Sequence, residues 1–203
     1  MRILLVAHGF PPDAAGGAEI YARALARELA REDDVVVVAR EARPERPDFS
    51  WREQAGEPFR LVLVNQTYRS TRTFRDTYRD PRMADLLAGL VDEIRPDVAH
   101  LHHLTNLTTD LVELLAVRGV PIVYTLHDYW LLCQRGQLLD LDYRRCAGPS
   151  PAGCARCLAA DAAGAAPRPA EWLRVLGLAG VWPAGQYLGV LRGRRAARRA
   201  GAS

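Results

Sequence analysis

The chain has 203 residues, 49% of them hydrophobic and 25% charged, which is long enough to bury a core and too apolar for a disordered polymer. A formal charge of +3 hides an asymmetry: up to Ser150, 19 Arg face 22 acidic residues, a balance of −3, whereas beyond it eight Arg stand against Asp161 and Glu171, a balance of +6. The apolar N-terminal stretch, residues 2–7, is too short for a secretory signal core, and no apolar run reaches the ~18 residues of a membrane span, so the sequence implies a cytoplasmic chain, with peripheral contact at the inner face of the membrane left open.

Strand and helix patterns alternate along the chain. Arg2 to His8 reads as a strand, and a helix from about Ala18 to Arg31 carries Ile20, Ala24, Leu25 and Leu29 at helical spacing. Val35 to Ala39 is a β-branched run suited to a strand buried on both faces. Strand, helix and strand within some forty residues make a βαβ unit and hence the start of a parallel sheet. Residues 42–58, rich in Pro, Arg and Glu, read as a loop, and Phe59 to Val64 as a third strand. After an exposed connection over 67–80, Pro81 opens a helix striped by Met83, Leu86, Leu87, Leu90, Val91 and Ile94 up to Pro96. Asp97 to His102 is a strand, Thr108 to Arg118 a helix closed by Gly119, and Val120 to Leu126 another strand. The fold class is therefore α/β, a Rossmann-like open parallel sheet with helices on both faces. Past Asp128 the pattern changes to a Cys-rich loop over 129–157, then to Ala- and Arg-rich helices near 171–178 and 186–199. The expected organisation is one domain over 1–157 and a helical continuation over 158–203.

The turn between the first strand and helix holds Gly16-Gly17-Ala18-Glu19. Adjacent glycines at a helix N-terminus leave backbone N–H groups open to an anion, phosphate above all, although a glycine pair also serves as a plain tight turn. The third glycine of the dinucleotide fingerprint is missing. In open α/β sheets ligands bind beyond the carboxyl ends of the strands, and those ends are polar here: His100, His102, His103 and Asn106 after one strand, Thr125, His127 and Asp128 after the next. His127, beside a carboxylate, is the leading candidate for donating to a phosphate or hydroxyl oxygen. Glu19 suits either the cleft or simply the positive end of the helix dipole, and Asp13 a turn.

Cys133, Cys146, Cys154 and Cys157 end in a Cys-x2-Cys pair. In a cytoplasmic protein two readings stand, a structural zinc site held by four thiolates or reduced buried thiols, with redox chemistry behind both. The stretch Arg192-Gly193-Arg194-Arg195-Ala196-Ala197-Arg198-Arg199 lacks interleaved aromatics and any nucleic-acid module, so a solvated helix face ranks first, anionic membrane second, and no nucleic-acid partner is expected.

Taken together, Arg2 to Phe10 with Pro11-Pro12, Gly16-Gly17-Ala18-Glu19, Arg95-Pro96-Asp97-Val98 leading to His100 and His102, and Thr125-Leu126-His127-Asp128-Tyr129-Trp130 resemble the N-terminal domain of a family 4 glycosyltransferase of the two-domain GT-B type. The Leu131-Leu132-Cys133 segment, with Cys146-Ala147-Gly148-Pro149 and Cys154-x2-Cys157, resembles a four-cysteine subgroup. The resemblance implies a retaining hexosyl transfer from a nucleotide-sugar, of UDP- or GDP-sugar type, to a glycan or lipid-linked acceptor. It implies no catalytic metal, so zinc at the cysteines has a structural role only. By position Gly16 and Gly17 match the loop near the donor diphosphate and His127 the histidine near the transferred sugar, while Glu19, His102, Asn106 and Asp128 fall where the cleft and acceptor site are expected.

The family's donor-binding domain has no room within 203 residues, so the sequence is expected to be a truncated N-terminal half, inactive by itself. A stand-alone Rossmann-like module binding a phosphate ligand is the alternative, and a zinc-clamped protein attached to anionic membranes a third reading.

Overall fold

The computed structural model describes residues 1–164 except Tyr68, Ser70 and Arg72. The expected C-terminal helices and the Arg-rich stretch lie outside the described residues. The chain divides into two compact units, Met1–Tyr129 and the residues from Trp130 onward.

In the first unit the order is β1 (Arg2–Ala7), α1 (Gly17–Leu29), β2 (Asp34–Glu41), β3 (Trp51–Gln54), β4 (Arg60–Asn65), a 3-10 turn (Phe74–Thr77), α2 (Pro81–Ile94), β5 (Val98–Leu101), α3 (Asp110–Val117) and β6 (Ile122–Tyr124). The strands form one six-stranded sheet in the order β3-β4-β2-β1-β5-β6. All pairings are parallel except that of β3 with β4. The Rossmann-like α/β class read from the sequence is the observed one.

The valine-rich β2 and the apolar β1 have both faces covered, as their continuous hydrophobic runs require. One face carries Ile3, Leu5, Val35, Val37, Ala39, Leu61 and Leu63, packed with Phe10, Phe59 and the inward residues Leu25, Ala26 and Leu29 of α1. The alternate residues Leu4, Val6, Val36, Val38, Val62 and Val64 are equally buried. The crossover from β4 to β5 runs back across the sheet, so right-handedness puts α2 on that opposite face, where it packs with α3. The start of α2 is set by Asp80, whose carboxylate accepts from the Arg82 N–H at 3.0 Å, with Pro81 at the first helical position; its end is set by Arg95 at φ 50° before Pro96.

Two expectations are corrected. Within the expected loop 42–58, Trp51–Gln54 pairs antiparallel with β4 as an edge strand, Trp51 opposite Val64 and Gln54 opposite Leu61. Within the expected Cys-rich loop, α4 (Pro151–Gly164) takes up Cys154 and Cys157. Pro151 fits a first helical position, and the Ser150 hydroxyl accepts from the Gly153 N–H at 3.2 Å, so the residues that resemble loop punctuation build a helix start.

At the carboxyl end of β4 the buried Asn65 holds the following connections. Its amide nitrogen donates to the carbonyls of Arg43, Arg46 and Pro47, each at 3.1 Å, and its oxygen accepts from the Arg43 N–H at 2.7 Å. Asn65→Ala strands these groups and is expected to cost about 1–3 kcal/mol, read as a lower urea midpoint with faster proteolysis within residues 42–50. An unchanged midpoint would show the loop to be held by other means.

Candidate functional site

β1 lies between β2 and β5, so successive crossovers leave it in opposite directions, and its carboxyl end is the switch point of the sheet. His8 directly follows β1, while His102 and His103 directly follow β5; His127 stands three residues beyond β6. With His100 inside β5, these are all five histidines of the chain, gathered at one end of the sheet.

The rings fall into two contacting groups, His8 with His103 and His100 with His102 and His127. His8 and His103 lie with centroids 4.3 Å apart. His100 stacks on His102 at 4.3 Å and an interplanar angle of 29°. His102 Nδ1 is 3.1 Å from His127 Nε2. Two carboxylates flank the cluster: Glu19, from the first turn of α1, places Oε1 3.0 Å from His8 Nε2, and Asp128 Oδ2 is 3.4 Å from His103 Nε2. His100 Nε2 pairs with Thr125 Oγ1 at 2.7 Å. From the second turn of α1 the half-exposed Tyr21 sets its ring edge-on to His102 at 5.7 Å and to His127 at 5.3 Å.

Burial disfavours the charged form of four of these imidazoles, His8, His100, His102 and His103. It is the foremost cause for His102, 1% exposed, whose pKa is lowered to about 3, with the nearby His100 and His127 further opposing a positive charge. Burial likewise lowers His100, His8 and His103, against the opposing pull of Glu19 on His8 and of Asp128 on His103. In neutral His103 the Thr105 N–H donates to Nδ1 at 3.1 Å, so the proton stands on Nε2 and faces Asp128.

The glycine turn joins this cluster through Glu19. A Cβ on Gly16 would stand 2.6 Å from Glu19 Oε2, and one on Gly9 2.6 Å from the Ala14 Cβ and 3.3 Å from Glu19 Oε1. A side chain at position 16 would displace the Glu19 carboxylate, and one at position 9 would collide first with the Ala14 side chain. Gly17 differs: a Cβ there meets nothing within 4 Å. Gly16 caps α1 without any side-chain hydrogen bond, so no side chain of the cap takes up the first N–H groups of the helix.

The structure thus brings Gly16, Glu19, His102, His127 and Asp128 together, with Gly17 at the open start of α1. Asn106 sits further along the β5–α3 connection, buried, at φ 58°, its N–H donating to the Thr77 carbonyl at 3.0 Å. His8, Gly9 and Tyr21 were not singled out from sequence. His8 had a usable signal, being the last polar residue of a strand that feeds the glycine turn. Tyr21 lies four residues after Gly17 and so on the same helical face.

In the second unit the four cysteines are free, half-buried thiols lining one cavity of about 410 Å³. The Gly148 N–H points to Cys146 Sγ at 3.5 Å and the Ser150 N–H to Cys154 Sγ at 3.3 Å. Among the described residues no group of three or more His, Cys, Asp or Glu is drawn together closely enough to hold a metal ion. Among the same residues no helix is long and apolar enough to cross a membrane.

Residues 15–150 match the family model described as Glycosyltransferase Family 4. No curated protein gives a significant match to the chain. The family match spans more than half of the sequence, and the chain belongs to that family.

Because His8, His100, His102 and His103 have pKa values lowered in the fold from an ordinary 6.5, the unfolded state takes up their protons first. Their contribution to stability is complete above about pH 6.5 and is lost as pH falls toward 3, by up to about 1.4 kcal/mol per pH unit for each fully buried ring. The urea midpoint is expected to fall between pH 7 and pH 5, and His102→Phe to flatten that fall; a midpoint independent of pH over this range would contradict the neutral cluster.

Proposed function

We propose that the first unit forms the acceptor-side half of a retaining glycosyltransferase that moves a hexose from a UDP- or GDP-type nucleotide-sugar to a glycan or lipid-linked acceptor, working in the cytoplasm and at the inner face of the membrane. The observation that supports this reading most is the uncapped start of α1. Gly17 opens onto free space, whereas Gly16 and Gly9 are fixed by Glu19 and by Ala14. Packing within the domain gives no reason for glycine at position 17; the close approach of a diphosphate does, through the backbone N–H groups and the positive end of the helix dipole.

In this reading Gly16 and Gly17 meet the donor diphosphate from one side, and His127 donates a hydrogen bond toward the transferred sugar or its phosphate oxygen. His102, Glu19 and Asp128 form the inner wall of the cleft, with Asn106 bracing the loop beneath it. Glu19 engages His8 and is spent on the interior. The nucleotide itself is assigned to a second domain, and the chemistry to positioning and hydrogen bonding without a catalytic metal. A structural zinc at Cys133, Cys146, Cys154 and Cys157 remains a proposal outside the transfer chemistry.

Titration of the isotope-labelled chain with UDP, GDP and inorganic pyrophosphate tests the assignment. Amide shifts are expected at Gly16, Gly17 and Ala18, with side-chain shifts at His127. Gly17→Ala should raise folding stability by up to about 1 kcal/mol while weakening diphosphate binding roughly tenfold, the equivalent of 1.4 kcal/mol. Shifts confined to other residues, or an alanine variant that binds as well as the parent, would remove the diphosphate from this loop. Sugar transfer by the 203-residue chain alone would overturn the assignment of the nucleotide to a second domain.

A further inference from the structure

We infer that His102 is a positioning residue that holds His127 in the tautomer with its proton on Nδ1, leaving that N–H as the group offered to a ligand. The inference deepens the role proposed for His127 and rests on that reading only for what the Nδ1–H meets.

The argument begins with two nitrogens. His102 Nδ1 and His127 Nε2 are 3.1 Å apart, so one of them carries the shared hydrogen and the other receives it. Burial among other imidazoles keeps His102 neutral, so it has one N–H only. Its other nitrogen, Nε2, is buried and has no hydrogen-bond partner among the described residues. If the proton stood on Nε2, a buried donor would be left without an acceptor, the rarer kind of orphan in folded proteins. With the proton on Nδ1, the hydrogen bond to His127 is made and only a lone pair is left bare.

His8 supplies a precedent within the same cluster. Its Nε2 must carry the proton to donate to Glu19 Oε1 at 3.0 Å, so its buried and unpartnered Nδ1 is likewise a bare lone pair. Both orphaned nitrogens of the site are then acceptors, and neither is a stranded N–H.

For His127 the consequence is fixed by valence. Its Nε2 receives from His102, so in the neutral ring the proton stands on Nδ1, the tautomer that free histidine in water favours less. Tyr21, edge-on, and His102, stacked, both lie 5.3 Å from the ring and pack against it. His127 is only half-buried, so the ring is not sealed from solvent. The stacking of His100 on His102 at 4.3 Å holds the donor ring flat in place.

Long-range proton–nitrogen NMR on the full 203-residue chain, labelled with nitrogen-15 in its imidazoles, reads these tautomers directly, near pH 7.5 and without any ligand. The expected result is protonated Nδ1 and bare Nε2 on both His102 and His127, and protonated Nε2 on His8 and His103. His102→Phe retains a ring for the stack on His100 but has no nitrogen, and His127 is expected to lose the Nδ1–H signature and revert to Nε2–H. His102→Ala should do the same, and unchanged His8 and His103 signals certify that each variant is folded. Protonated Nε2 on His127 or on His102 in the parent chain would overturn the inference, as would a His127 tautomer that both variants leave unaltered. Failure of UDP, GDP or pyrophosphate to bind would defeat the functional reading while leaving this result standing.

Discussion

Everything else in the first unit hangs on β1 being hydrogen-bonded along both edges and covered on both faces. Its register with β2, Ile3 opposite Val35 through Ala7 opposite Ala39, and with β5, Ile3 opposite Val98 through Val6 opposite Leu101, fixes where three neighbouring strands end. A slip of one residue would turn each of these side chains to the wrong face of a sheet whose faces are both apolar, so the register is strongly specified. The ends of β1 and β5 therefore arrive side by side, and the polar residues that follow them, His8 on one and His102 with His103 on the other, are placed next to each other by the core rather than by their own interactions.

That placement carries a cost and gives the site its character. Five imidazoles at the end of an apolar sheet cannot all be charged, because desolvation and mutual repulsion act in the same direction. The cluster resolves this by keeping rings neutral and by setting carboxylates at two points, Glu19 at His8 and Asp128 at His103. A neutral imidazole still has one donor and one acceptor, so the cluster becomes an ordered set of donors in which each hydrogen has an assigned place. Such a set is suited to presenting a hydrogen bond without reorganising when charge arrives on a ligand oxygen, which is how preorganised polar sites lower barriers. Glu19 serves two structures at once, since the same side chain pairs with His8 and fills the space beside Gly16, while Ala14 crowds Gly9.

The sheet was legible in the sequence because its central strands are apolar on both faces and its helices carry clear stripes; the bounds of α2, Pro81–Ile94, follow from Pro81 and Pro96 alone. β3 was not legible. Trp51-Arg52-Glu53-Gln54 is an edge strand held by pairing to β4 and by the Arg52 guanidinium on Glu41 at 2.7 Å, and neither leaves an apolar pattern in a four-residue segment. α4 was hidden by Pro151 and Gly153, which mark a loop as readily as a helix start. At the site, His127 and the glycines were legible from their position after strands. Their partners were not, because the contacts of His8 with His103 and of Tyr21 with His127 join residues about a hundred positions apart, across a topology that no local pattern encodes.

The two glycines of the turn, adjacent in sequence, end up with separate reasons for being glycine. At position 16 the reason lies inside the domain, where a buried carboxylate oxygen stands 2.6 Å from the place a Cβ would take. At position 17 no atom of the described structure comes within 4 Å of that place. Alanine is favoured over glycine at most helical positions by about 1 kcal/mol, so an unhindered glycine at the start of α1 gives up stability that the fold alone does not ask for. Under the diphosphate role proposed for this turn that loss makes sense, since a loop that meets a phosphate needs open backbone more than it needs a well-capped helix. Glu19 stands apart from that proposed role: a carboxylate already engaged to an imidazole and enclosed beneath the loop shapes the turn from inside the domain.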